Sequence, residues 1–101
     1  MSQQFYSIVE MNDVPMQARR NVSNPINVKG IVDVTGVSIT NKGVYYAPGT
    51  QRGKTDPPPP YILVEGDGQD DVDSAVMVLK RLLQEGVEAE EEAAAKRGLG
   101  A

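Results

Sequence analysis

The segment from Pro25 to Ile39, P-I-N-V-K-G-I-V-D-V-T-G-V-S-I, restricts the fold more than any other part of the chain. Proline at the first helical position loses nothing, because its missing N–H would be unpaired there anyway, and Ser23-Asn24 before it supplies a cap. The spacing predicts a helix through Val34, with Ile26, Gly30 and Val34 on one stripe and Val28, Ile31 and Val32 beside it. Asn27, Lys29 and Asp33 are the polar exceptions. Glycine in mid-helix costs about 1 kcal/mol against alanine, so Gly30 predicts a close approach by another element. Thr35-Gly36 stops the helix, with Gly36 suited to a left-handed cap, and the alternation that follows begins a strand.

The flanking segments carry equally local signals. Phe5, Ser7, Val9 and Met11 alternate with Tyr6, Ile8 and Glu10, which predicts a first strand. Asn12-Asp13 turns the chain, and Pro15 opens a short helix over P-M-Q-A-R-R-N-V. The second strand is expected over Val37 to Tyr46 with a bulge at Lys42-Gly43, and the third over Tyr61 to Gly66. Between them the composition shifts to a proline-rich loop at 47–60, which cannot be a central strand.

The last helix has the strongest periodicity. Val72, Ala75, Val76, Leu79, Leu82, Leu83 and Val87 form an apolar stripe wide enough to cover a sheet. Gly86 is expected to end this helix or to weaken it. The order is therefore β-α-α-β-β-α, an α+β domain whose three-stranded sheet carries three helices on one face.

Composition removes several function classes. A chain of 101 residues without Cys or His can build neither a thiolate or imidazole nucleophile pair nor a structural zinc site. The start, M-S-Q-Q-F-Y, has no secretory pattern, and apolar runs such as Val76 to Leu79 are far below the roughly 20 residues of a membrane span, so a soluble, non-membrane chain is expected. Charge is segregated: Val14 to Lys54 holds six bases against one acid, and Glu65 to Glu92 holds ten acids against two bases. Such asymmetry orients a partner even when the total charge, −4, opposes nucleic acid.

Thr35-Gly36-Val37-Ser38-Ile39 after the second helix resembles the eukaryotic-type KH fold. More narrowly, M-N-D-V-P-M-Q-A-R at Met11 to Arg19 and V-S-I-T-N-K-G-V-Y-Y-A-P-G at Val37 to Gly49 look like the KH-like C-terminal domain of the DEAD-box pre-mRNA-splicing RNA helicase family that acts at the branch-site ribonucleoprotein. The resemblance covers nearly the whole chain. It implies a KH-like domain over 1–87; the E-A-E-E-E-A-A-A-K-R composition beyond it, helix-prone but without an apolar face, predicts an acidic tail, helical or disordered, over 88–101. The resemblance further implies nuclear localisation, a monomer, and splicing proteins or ribonucleoprotein as partners. No catalysis and no cofactor are expected in these residues, ATP and magnesium belonging to the remainder of such a helicase. Gly49 to Thr55 has neither the spacing nor the following helix of a phosphate-binding loop.

The departure from the family pattern lies where the G-x-x-G loop should be. Counting back from Thr35-Gly36, that register falls on Val22-Ser23-Asn24-Pro25. Glycine lets backbone approach backbone, whereas valine adds a branched side chain and proline removes a donor. Four-nucleotide clamping of the KH kind is therefore not expected, and the first reading is a docking module. The alternative is a single-stranded RNA-binding KH domain of a splicing cofactor. Arg19, Arg20, Lys29 and Lys42 are the candidates for weak, salt-sensitive contact with single-stranded RNA, although the plainer reading of Arg19 and Arg20 is as ordinary exposed helix cations. Tyr45, Tyr46 and Tyr61 are candidates for base stacking, with at least one of Tyr45 and Tyr46 expected in the core. Pro57, Pro58, Pro59 and Pro60 are candidates for partner binding or, as plainly, a stiff spacer.

Overall fold

A computed structural model describes residues 5–99. Its elements are β1 (Phe5–Glu10), α1 (Met16–Ser23), α2 (Pro25–Thr35), β2 (Ser38–Lys42), β3 (Tyr61–Gly66) and α3 (Gln69–Leu99), in the expected α+β order. Among the described residues no helix is long and apolar enough to cross a membrane.

The last strand in sequence is the middle one in space. The sheet order is β1-β3-β2 with both pairings antiparallel. Val9 lies opposite Ile62, and Val64 stands between Ser7 and Ile39, so these residues share the face turned to the helices. Val9, Ile62 and Val64 are buried there with Met11, Val22, Ile31, Val37, Val72, Leu79 and Leu83. Full burial of each such side chain is worth about 1.5–3 kcal/mol, which makes this single layer of contacts the main source of cohesion. The other sheet face stays open, with Tyr6 and Ile8 exposed and Leu63 half-buried.

Local chemistry sets the helix ends. Pro15 is not the first helical residue but stands just outside α1, at φ −67° and ψ 159°, and its carbonyl accepts the Ala18 and Arg19 amides at 3.0 and 3.2 Å. An extended ψ is the usual conformation of a residue that stands just before a helix, and Asn24 before α2 shares it. Asn24 alone joins α1 to α2, and its Oδ1 accepts the Ile26 N–H at 2.9 Å. At the other end Gly36 takes the left-handed conformation, φ 77°, and donates to the Val32 carbonyl at 2.8 Å, as its position predicted.

Two glycines exchange their expected roles. A Cβ at Gly30 would meet nothing within 4 Å, so among the described residues no other element packs closely against it. At Gly86 a Cβ would fall 2.4 Å from the Ala18 Cα, so this residue is where α3 crosses α1. The helix accordingly runs through Gly86 without ending, for 31 residues or about 46 Å at 1.5 Å per residue.

The second strand is shorter than expected. It stops at Lys42 because Gly43 turns into positive φ, 82°, and passes so close to the proline run that a Cβ would sit 2.3 Å from the Pro59 carbonyl oxygen. Val44 N–H then donates to the Pro58 carbonyl at 2.9 Å. The expected bulge is thus a pinch that closes the base of the loop. Past it Tyr45 is 46% exposed and Tyr46 half-buried, so neither enters the core: strand alternation no longer applies to them.

Candidate partner and nucleic-acid interface

The position of the KH clamp is occupied by structure. Val22 is fully buried, Asn24 caps α2, and Pro25 contributes no amide, leaving a single-residue hinge in place of a loop. A helix N-terminus attracts phosphate through its free N–H groups, and here the cap and the proline have removed two of them.

The cations proposed for RNA are not brought into one patch. Arg19 is turned inward: its Nη1 donates to the Val14 carbonyl at 2.6 Å and its guanidinium lies 4.1 Å from the centre of the Tyr45 ring. That arrangement ties the first turn of α1 to the loop beyond β2. Arg20, next to it, is exposed. Lys29 pairs with Asp33 on the surface of α2 at 2.5 Å, an exposed i,i+4 bridge worth about 0.3–0.5 kcal/mol. Lys42 shares the open sheet face with Tyr61 and Glu10, on the side of the sheet away from the helices. Lys29 and Lys42 therefore face different solvent regions.

The proline run divides in two. Pro57 and Pro58 are exposed, whereas Pro59 is half-buried and Pro60 buried, with its carbonyl accepting the Met11 N–H at 3.0 Å. The Pro57 carbonyl accepts the Tyr46 hydroxyl at 2.6 Å and Arg52 Nη1 at 3.4 Å, while Asn12 exchanges hydrogen bonds with the Tyr46 backbone at 3.1 and 3.3 Å. The loop is in this way fastened to the β1–α1 turn. Pro58 and Pro59 also form a wall of a cleft of about 490 Å³ with Ile8, Glu10, Asp13 and Tyr61.

A second groove, about 360 Å³, runs between α2 and α3. Ile26 and Val34 border it at 81% and 87% exposure, with Gly30 between them and Val78, Arg81 and Leu82 across. Sequence periodicity placed Ile26 and Val34 on the apolar stripe of α2, but the buried residue of that helix is Ile31. Beneath this groove lies a polar tie that no short-range pattern indicates. Asn27 of α2 donates to the Asn21 carbonyl of α1 at 2.8 Å, and Asn21 Nδ2 donates to the Leu82 carbonyl of α3 at 2.7 Å. Three helices are joined through two side chains.

A β-α-α-β-β-α chain with the strand order β1-β3-β2 has the architecture of a KH-type domain, here with one residue joining α1 to α2. The chain belongs to the KH-domain family, whose family model matches residues 6–89. Within that family it is similar to segments of pre-mRNA-processing ATP-dependent RNA helicases named PRP5. It is 51% identical over 94 residues to the protein of Phaeosphaeria nodorum, covering 93% of this chain and 8% of that helicase. The Neurospora crassa protein is 48% identical over 85 residues, covering 84% and 7%, and the Aspergillus terreus protein 42% over 96 residues, covering 95% and 8%. This chain thus spans 7–8% of the length of these curated relatives. No solved structure matches it.

Proposed function

We propose that this chain is a non-catalytic KH-like domain of a nuclear pre-mRNA-splicing RNA helicase and docks its parent on protein or ribonucleoprotein partners during spliceosome assembly. The similarity to PRP5 helicases over most of the chain supports the parent. The observation that carries the docking role is the α1–α2 hinge, where buried Val22, the Asn24 cap and Pro25 fill the position at which a KH domain holds nucleotides. ATP and magnesium chemistry is assigned to other parts of that parent. Gly49 to Thr55 lies in an exposed loop rather than at a helix start, which does not fit a phosphate site.

The test is a titration of the chain with short single-stranded RNA at about 50 and 200 mM salt, because phosphate-driven binding falls steeply across that range. Weak binding that disappears with salt is the expected outcome. Submicromolar binding that selects among sequences and is lost on Arg20→Ala would sink the docking role and establish RNA recognition instead.

A further inference from the structure

Gly30 is an oddity that the fold does not explain. It weakens the middle of α2, yet a Cβ there would meet nothing within 4 Å, whereas Gly86 is needed by the crossing with Ala18. Its lack of a side chain leaves a notch between Ile26 and Val34, two of the most exposed apolar residues of the molecule. Four-residue spacing puts all three on one ridge, and the notch opens into the groove shared with Val78 and Leu82 of α3.

The rim decides what can enter. On the groove side of α3 the helical spacing adds Asp70 and Asp71 before Ser74, and Glu85 and Glu88 beyond Arg81, so acids outnumber the single Arg81 in that row. An acidic rim repels RNA phosphates, and a second copy would set two acidic rims against each other. It attracts a cationic partner whose buried side is apolar.

We propose that the α2/α3 groove is the docking site for a basic amphipathic helix of a partner protein, one of whose apolar side chains seats in the Gly30 notch. This rests on the docking reading above and gives it a surface.

The 15N-labelled chain would be titrated with a 14-residue helical peptide of leucine and lysine with one apolar face. Parallel titrations would use the same residues in scrambled order and an oligouridine. Amide shifts centred on Ile26, Gly30, Val34, Val78 and Leu82, with the scrambled peptide at least about tenfold weaker, are expected. Gly30→Leu fills the notch with a helix-favouring residue. It should raise the melting temperature by about 3–6 °C and weaken the peptide by about tenfold or more. A variant that is more stable but binds less cannot owe its loss to misfolding.

Unchanged peptide affinity in Gly30→Leu, equal affinity for the scrambled peptide, or no binding below about 1 mM overturns the proposal. Shifts centred instead on Ile8, Pro58 and Tyr61 overturn this surface but leave docking intact. Oligouridine shifts around Val22 to Pro25 that require Arg20 overturn both. A dimer in sedimentation that Val34→Glu dissolves assigns the groove to a second copy and overturns the partner helix.

Discussion

At the scale of single residues, glycine is the most informative type in this chain. Adding a methyl group at Gly86 forces α3 away from the Ala18 backbone, 2.4 Å from the added carbon, and neither helix backbone can yield locally. Gly86→Ala should therefore destabilise by about 1–3 kcal/mol despite improving helix propensity, as read from the urea midpoint. A stability equal to or above the parent would show that α1 and α3 do not cross there. The same methyl at Gly30 has the opposite sign. Sequence could show that both glycines were anomalous but not which one was crowded, because the atom that crowds Gly86 belongs to α1, far away in the chain. Asn21 and Asn27 were illegible for the same reason: each reads as an ordinary polar helix residue until α3 supplies the Leu82 carbonyl.

At the scale of elements, short-range rules located every helix and strand and misjudged where some stop. The end of β2 was misread because Val44 and Tyr45 favour strands as strongly as the residues before them, while Gly43 diverts the backbone against the prolines. That diversion has a measurable result. The bonds from Val44 to Pro58 and from Tyr46 to Pro57 close the loop at its base, so the segment between Ala47 and Asp56 contributes little to the sheet. Replacing residues 48–55 with glycine and serine should lower stability by less than about 1 kcal/mol, since loop-closure entropy varies slowly with length. Loss of cooperative thermal unfolding by circular dichroism in that variant would show that the loop supports the fold. The candidate cations were legible by type and not by place. Lys29 and Lys42 were separated by the sheet itself, whose register puts Lys42 on the open face.

For the whole molecule, stability should be distributed as the sheet order implies. β3 bonds to a strand on either side and buries Ile62 and Val64, so a large part of the cooperative unit is assembled on it. Amides of Ile62, Val64 and the α3 segment from Ala75 to Leu83 should exchange with deuterium only through global unfolding. Amides in the exposed loop 47–56 should exchange orders of magnitude faster. Slowest exchange at the edge strand β1 would mean that the open sheet face is covered in solution. The frame of the molecule was legible because each element announces itself locally and only one sheet can cover the apolar stripes. What recognises a partner depends on which faces remain uncovered after packing, and no local pattern holds that information.

The one-residue connection at Asn24 has a mechanical meaning. With Val22 anchored in the core on one side and the Asn21–Asn27 tie on the other, α1 and α2 have no slack between them. Widening the angle between these helices would disturb the packing around buried Val22. A displacement of α2 is thus passed to α1 and α3 through the Asn27–Asn21 and Asn21–Leu82 hydrogen bonds, so the three helices are coupled mechanically.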